Sequence, residues 1–302
     1  SDWDVIQKID TNHKDLIHDL AYDFYGKRLA TCSSDRFIRV WDKNSEWTQT
    51  CSWEAHSGSI WKVCWAHPEF GQVIASCGFD GQVYIWEEHE KGEPFKKVCN
   101  VCKFDKPVVD VKFSPRTLGL RLATGWQDGV VRIYEAMDVM NLSQWSLMGE
   151  FDVANKSTKE ESGCHISWNP SSFDPPSMAV GCSDGSIKIF QYAENLRKWQ
   201  PVDLCASGER HTDAIHDICW APNLGRSYHL IASASKDKSV RIWRVKMENG
   251  KWQGNMVANF NDHDSEVWRV QWNVTGTILA SSGDDGSVKL FQSEQGHSWS
   301  CI

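Results

Sequence analysis

The chain has 302 residues, 41% hydrophobic and 24% charged, which fits one large globular domain or two ordinary ones. Its net charge of −8 argues against a nucleic-acid-binding surface, because neutralising phosphates requires clustered Lys and Arg. No apolar run approaches the roughly twenty residues that a membrane-spanning helix needs.

In chain order, the first element is an alternation of apolar and polar side chains at residues 2–9, which predicts a β-strand. A repeated strand signature follows, in which an apolar residue, two spacers, a second apolar residue, one spacer and an aromatic residue succeed one another. A fourth copy is degenerate and keeps only Ile166 and Trp168. The complete copies are Ile17/Leu20/Tyr22, Ile60/Val63/Trp65, Val108/Val111/Phe113, Ile215/Ile218/Trp220 and Val267/Val270/Trp272.

A second signature lies downstream of each copy. An Asp opens a turn, an alternating run such as Ile38-Arg39-Val40 follows, and an aromatic residue comes six positions after the Asp. Period-two alternation after a turn residue predicts a hairpin strand. The pairs are Asp35/Trp41, Asp80/Trp86, Asp128/Tyr134, Asp184/Phe190, Asp237/Trp243 and Asp285/Phe291.

The repeat length points to a particular architecture. The signatures recur at spacings at or above the roughly 40–45 residues of a propeller blade, and the 17 Trp residues match the periodic aromatics of such blades. The sequence therefore predicts an all-β, six-bladed β-propeller in one domain. Its expected blades are residues 11–53, 54–102, 103–155, 156–205, 206–258 and 259–302.

These repeats resemble the WD-repeat family of β-propellers. Four carry the family's His before the first strand, and three carry its complete hydrogen-bonded tetrad of His, Ser or Thr, Asp and Trp. The four His residues are His13, His56, His211 and His263. The tetrads are His13/Thr31/Asp35/Trp41, His56/Ser76/Asp80/Trp86 and His211/Ser233/Asp237/Trp243.

The tetrads and one short motif imitate catalytic sites. Ser, His and Asp in this setting form a structural network, and we expect no catalytic residue among them. Residues 181–185 match G-x-S-x-G, but a nucleophile elbow needs a strand, a turn and a helix, and here both flanks predict strands. We therefore expect no enzymatic activity.

The eleven Cys residues are odd in number and mostly sit in apolar runs, which favours free thiols in a reducing compartment. Cys99 and Cys102 form a C-x-x-C motif without a second pair or nearby histidine ligands. We predict no metal site and no cofactor.

Several stretches resemble one subfamily, the Sec/Seh propellers of membrane coats. They include residues 13–19, 30–35, 65–71 and 221–227. Residues 138–146 and 166–172 resemble the Seh nucleoporin more than its COPII-coat sister. The resemblance covers essentially the whole chain, and the loop at 141–146 weighs most because packing does not dictate its sequence.

This resemblance implies an open six-bladed propeller that is completed in trans by a short blade from an α-solenoid partner. The implied role is a scaffold subunit of the nuclear-pore Y-complex, of the GATOR/SEA nutrient-signalling complex, or of both. The implied locations are the nuclear pore at the nuclear envelope and, for the signalling complex, a lysosomal or vacuolar surface. Neither direct nucleic-acid binding nor membrane insertion is expected.

Both chain ends bear on how the ring closes. Residues 298–302 predict an outer strand for the sixth blade, so a strand at residues 2–9 would be surplus to a closed ring. A surplus strand favours an open ring whose edges a partner covers. The same strand could instead occupy an edge that the partner needs.

We predict that the partner binds through the gap between blades 1 and 6 by β-augmentation. The alternative for each contact residue is that it packs between blades, which is the commoner fate of periodic aromatics such as Trp61 and Trp268. The predicted contacts are Leu16, Ile17, His18, Leu20, Val267, Trp268 and Arg269.

Two other functions remain open. One is a COPII-type vesicle-coat subunit, and the other is a peptide-reading adaptor such as a ubiquitin-ligase substrate receptor. Adaptors of that kind carry W-D-x-R after a blade, whereas this chain has Trp41-Asp42-Lys43-Asn44 and Trp243-Arg244-Val245-Lys246.

Overall fold

A computed structural model describes residues 4–153, 163–205, 208–294 and 298–302. Six four-stranded antiparallel sheets are present in these ranges, and within each sheet every strand pairs with the next one along the chain. The predicted all-β fold, a six-bladed β-propeller, is confirmed. We number the sheets as blades 1 to 6.

The strands lie in two compact units, residues 1–150 and 151–302. Two short 3₁₀ helices, Pro68–Phe70 and Arg116–Leu118, join strands of the first unit. Blades 1 to 3 comprise β1 (Ile17–Tyr22), β2 (Arg28–Ser33), β3 (Phe37–Lys43), β4 (Trp47–Glu54), β5 (Ile60–Trp65), β6 (Gln72–Gly78), β7 (Gln82–Glu88), β8 (Lys96–Lys103), β9 (Val108–Phe113), β10 (Arg121–Trp126), β11 (Val130–Asp138) and β12 (Asn141–Asp152).

The second unit repeats the same meander. Blades 4 to 6 comprise β13 (Cys164–Trp168), β14 (Ser177–Cys182), β15 (Ile187–Ala193), β16 (Lys198–Asp203), β17 (Ile215–Trp220), β18 (His229–Ser235), β19 (Val240–Glu248), β20 (Lys251–Phe260), β21 (Val267–Trp272), β22 (Ile278–Gly283), β23 (Val288–Glu294) and β24 (Ser298–Cys301).

The Asp that opens each inner hairpin closes the turn with its own side chain. In blade 2, the carboxylate of Asp80 accepts a hydrogen bond of 3.1 Å from the backbone N–H of Gln82, two residues on. The same bond forms in every blade, because Asp at this place satisfies a backbone donor that the turn leaves unpaired. The six carboxylates belong to Asp35, Asp80, Asp128, Asp184, Asp237 and Asp285.

Each inter-blade core is built from opposite faces of two successive sheets. In the first unit, Ala30, Ile38 and Val40 from the middle strands of blade 1 pack with Ile60 and Val63 from the first strand of blade 2. The same arrangement joins blade 2 to blade 3, blade 4 to blade 5 and blade 5 to blade 6. A first strand therefore turns its signature residues toward the preceding blade, and the middle strands turn theirs toward the following one.

The prediction of an N-terminal strand is wrong for the residues that the structure describes. Residues 4–9 form no strand, and the side chains of Val5 and Ile6 are exposed, while Asp2 and Trp3 lie outside the described residues. Alternation alone does not hold a strand when no neighbouring strand pairs with it. At the other end, Ser298–Cys301 pairs with β23 as the fourth strand of blade 6. Each blade thus supplies its own four strands.

The prediction of a loop at residues 141–146 is wrong. These residues begin β12, and Leu142 is buried in the core that joins blade 2 to blade 3.

In the part of the chain that the structure describes, no helix has the length and apolar character to cross a membrane.

Candidate interaction surface

The tetrad of blade 5 is a buried hydrogen-bonded network. His211 Nδ1 donates to Asp237 Oδ2 over 2.9 Å, because a carboxylate can only accept. Ser233 Oγ lies 2.7 Å from His211 Nε2 and accepts a 3.1 Å hydrogen bond from the indole N–H of Trp243. Ser233 and Trp243 have no exposed surface, so a substrate cannot reach the hydroxyl, and the network stabilises the blade.

Three other blades show the same His–Asp and His–hydroxyl contacts. Blades 1 and 2 have the full tetrads, with Trp41 donating to Thr31 and Trp86 to Ser76. Blade 6 ends in Phe291, so Ser281 has only the histidine of its network. The His-centred contacts are His13 with Asp35 and Thr31, His56 with Asp80 and Ser76, and His263 with Asp285 and Ser281.

Blade 3 replaces the missing histidine in a way that the repeat pattern did not predict. Trp126 is fully buried, donates its indole N–H to Thr124 Oγ1 over 2.7 Å, and packs edge-on against Phe104. The Arg132 guanidinium lies over both rings and pairs with Asp128. Aromatic packing thus takes the place of the His-centred network.

Blade 5 carries three histidines whose pKa values lie below the ordinary 6.5. Burial lowers the pKa of His211, His216 and His229, and a neighbouring carboxylate partly offsets the effect in each case. The folded chain therefore resists protonation that the unfolded chain accepts.

This difference predicts that the free energy of unfolding falls as the pH drops from 7.5 to 5.5. Below about pH 6.5 the unfolded chain binds protons that the folded chain excludes, so acidification favours unfolding. Urea unfolding at both pH values measures the effect. His229→Gln is expected to reduce the pH dependence, because it removes one of the groups whose pKa burial lowers. Greater stability at pH 5.5 would contradict the assignment.

The C-x-x-C motif forms no candidate metal site. Cys99 and Cys102 are free thiols, and burial raises the pKa of Cys102 to about 11. Among the described residues, no group of three His, Cys, Asp or Glu side chains is arranged to hold a metal ion.

The first strand of blade 1 differs from the other first strands in its exposure. Leu20 is 55% exposed, whereas Val63, at the same position of blade 2, is 3% exposed. Ile17 and Tyr22 are also exposed, and so is Leu16 just before the strand. We call Leu16, Ile17, Leu20 and Tyr22 the first-blade face. It is the face that, in blades 2, 3, 5 and 6, packs against the preceding blade.

Blade 6 exposes the opposite face. Val288 is 68% exposed, whereas Ile38, at the same position of blade 1, is fully buried. Leu290 and Ala280 pair across β23 and β22 and are both partly exposed, while Val40 and Ala30 at those places in blade 1 are fully buried. We call Ala280, Val288 and Leu290 the last-blade face.

The hairpin glycines also distinguish blade 6 from blades 2 and 4. A Cβ added at Gly185 of blade 4 would lie 2.0 Å from the backbone oxygen of His211, which begins blade 5. A Cβ at Gly81 of blade 2 would lie 2.4 Å from the backbone oxygen of Phe104. At Gly286 of blade 6, nothing lies within 4 Å of the added atom among the described residues. The blade 6 hairpin has room where the other two meet a following blade.

The predicted partner contacts divide into exposed and buried residues. Leu16, Ile17 and Leu20 belong to the first-blade face, and His18 is partly buried and hydrogen-bonded to Ser34 Oγ. Val267 is fully buried in the core that joins blade 5 to blade 6. The sequence predicted that blades 1 and 6 both contact the partner through their first strands. The exposed last-blade face of blade 6, however, lies on β22 and β23.

The two aromatic candidates lie in partly open positions. Trp268 is 40% exposed, stacks on His216 with ring centroids 3.8 Å apart, and donates its indole N–H to Asp284. Arg269 donates to the backbone oxygen of Trp268. Trp61 is partly buried and packs edge-on against Phe79. Each is held by neighbours of its own unit, and none belongs to the four inter-blade cores described above.

Comparison with known proteins agrees with the repeat geometry. Residues 4–42 and 47–87 match the family model of the WD domain, G-beta repeat, and residues 218–302 match that of the anaphase-promoting complex subunit 4 WD40 domain. The blades and their tetrads thus define a WD-repeat β-propeller.

Over the full chain, the sequence is similar to the members of one more specific family. The chain is 48% identical to nucleoporin SEH1 of Xenopus tropicalis, in an alignment that covers 99% of this chain and 87% of the frog protein. It is 48% identical to human nucleoporin SEH1 and 47% identical to that of Danio rerio, with 98% of this chain covered in both. The chain belongs to the nucleoporin SEH1 family.

Proposed function

We propose that this chain is a structural, non-enzymatic scaffold subunit of the nuclear pore complex at the nuclear envelope. The proposal is supported by the similarity to nucleoporins of the SEH1 type over nearly the whole chain. The tetrads support the non-enzymatic role, since their hydroxyl groups are buried and used in structural hydrogen bonds.

The mode of assembly that we propose is completion of the propeller by a partner. An α-solenoid protein would donate a short blade that covers exposed apolar blade surface, for which the first-blade face and the last-blade face are the two candidates. The exposure of Leu20, at a position that is buried in the next blade, carries this proposal. Covering Ile17, Leu20 and Tyr22 would remove apolar surface from water, at roughly 1.5–3 kcal/mol for each fully buried aliphatic side chain.

The contacts predicted from the sequence remain part of the proposal, with one change. Leu16, Ile17, His18 and Leu20 serve on blade 1, and Val288 and Leu290 replace the buried Val267 on blade 6. Trp268 and Arg269 would lie at the margin of the partner contact. Backbone pairing would contribute affinity, and the apolar faces would set the register.

The experiment is a tagged pulldown from native extract, in which mass spectrometry identifies the stoichiometric partners. We expect α-solenoid nucleoporins with the unchanged chain, and their loss with Leu20→Asp combined with Val288→Asp. Phe173→Asp, at an exposed site of blade 4, is the matched control and should retain the partner.

The identity of the captured proteins separates the functions. Solenoid subunits of a nutrient-signalling complex, recovered with the same dependence on Leu20, would keep blade donation and change the assembly. Recovery of ubiquitin-ligase components, or of solenoids that tolerate the double substitution, would contradict the proposal.

A further inference from the structure

The hairpin of β11 and β12 in blade 3 exposes an apolar surface that is separate from the first-blade and last-blade faces. Leu147 is 49% exposed and Met148 is 52% exposed. Consecutive side chains of a strand point to opposite faces of the sheet, so apolar surface is open on both sides of β12. Met137, Val139 and Met140 extend the exposed surface at the turn of the hairpin. Methionine suits surfaces that adapt to a binding partner.

β12 is also a long outer strand whose sequence lacks the residues that usually protect a sheet edge. It spans twelve residues at the end of its sheet and contains no Lys, Arg or Pro. Natural edge strands are commonly shortened, bulged, or protected by Lys and Pro against pairing with other chains.

The other outer strands carry such devices. β24 has four residues, and β16 contains Lys198 and Pro201. β8 begins with Lys96 and Lys97, and register shifts interrupt the pairing of β4, β8 and β20. Among the described outer strands, β12 is the longest, and it contains no Lys, Arg or Pro to obstruct an added strand.

We propose that the outer edge of β12 binds an extended, basic and apolar segment of another protein by β-strand addition. The added strand would hydrogen-bond to the backbone of β12, and its alternate side chains would contact Leu147 on one face of the sheet and Met148 on the other. Backbone pairing contributes the affinity in this mode, and the side chains on the two faces select the sequence.

The charged side chains of the β11–β12 hairpin indicate the chemistry of the partner. The β11–β12 hairpin, residues 130–152, includes four acidic residues and one basic residue, Arg132, which pairs with Glu150. Glu150 and Asp152 lie at one end of β12, and Asp138 lies at the turn just before it. A segment that carries Lys or Arg near its ends complements both ends of the strand. A second copy of this chain would bring the same acidic strand and a net charge of −8, which disfavours self-pairing.

The test uses a defined probe, a fluorescein-labelled peptide of about nine residues in which Val alternates with Thr and Lys stands at each end. Fluorescence anisotropy with the full chain is expected to show saturable binding, and hydrogen–deuterium exchange is expected to show peptide-dependent protection of β12. Leu147→Lys combined with Met148→Lys should weaken binding at least tenfold. Thr48→Lys on β4, the outer strand of blade 1, is the matched control and should bind normally.

A second peptide carries N-methyl groups on alternate amides, so it keeps the charges and side chains but cannot complete the backbone ladder. We expect it not to bind, and equal binding of both peptides would overturn strand addition. Absence of saturable binding, or binding that the double variant leaves intact, would overturn the site. Full protection of the β12 amides without peptide, or dimers in sedimentation that the double variant abolishes, would overturn the proposed occupant.

Discussion

Val63→Asp is expected to unfold the chain or to lower its free energy of unfolding by about 3–5 kcal/mol, because it places an unpaired carboxylate in a closed core. Val63 is 3% exposed and packs between blades 1 and 2. Leu20→Asp changes the same repeat position of blade 1 and is expected to cost less than about 0.5 kcal/mol, as surface substitutions usually do. Urea unfolding, followed by Trp fluorescence, measures both.

The difference between the two variants in free energy of unfolding tests the first-blade face more directly than either value alone. Sequence alone treats Leu20 and Val63 as equivalent members of one signature, whereas the structure exposes the first and buries the second. Val63→Ala is a control that removes volume without adding charge. It is expected to lower the free energy of unfolding by about 1–3 kcal/mol. If Leu20→Asp and Val63→Asp destabilised the chain equally, the first-blade face would be covered and the proposed partner site would not exist.

Gly185→Ala is expected to destabilise the chain by about 2 kcal/mol more than Gly286→Ala. Both glycines hold a left-handed conformation, with φ of 81° and 72°, so both substitutions carry a backbone penalty of about 1–2 kcal/mol. Only at Gly185 would the added methyl group also meet the backbone oxygen of His211, which cannot move without displacing the start of blade 5. His211 N–H donates to the Gly185 carbonyl over 3.0 Å, so the two segments are joined there.

Thermal and urea unfolding of the two alanine variants provide the measurement, and each serves as the control of the other. A large and equal loss at Gly286 would mean that a following segment covers that turn. A small and equal loss at both sites would mean that blade 5 tolerates displacement, which would contradict the close packing of blades 4 and 5.

Much of the fold could be read from local chemistry. Each Asp at an inner hairpin was predicted from its spacing to an aromatic residue, and each one caps its turn through a bond that spans only two residues. The His-centred networks also followed from spacing, because the repeat that brings His211, Ser233 and Asp237 together in blade 5 does the same in the three other blades that carry the histidine.

Other features depended on neighbours distant in the chain. The alternation at residues 2–9 predicted a strand that does not form in the described part, since alternation does not supply a pairing partner. Val267 was predicted to contact a partner but lies in a core with blade 5. Trp126 was not singled out, although its indole replaces the missing histidine of blade 3. One signal was available, since an additional Trp stands two residues before Asp128 in the only repeat that lacks both its His and its terminal Trp or Phe.

The sequence by itself determined the repeat, its strands, its turns and its buried networks, because these depend on contacts within one blade or on a pattern common to all. Only the tertiary structure decided which members of that pattern are covered. Leu20 and Val288 are aliphatic, as are their buried counterparts Val63 and Ile38, and burial requires a second sheet against the same face. Whether a sheet has such a neighbour is a property of its place in the fold, and no residue within the repeat encodes it.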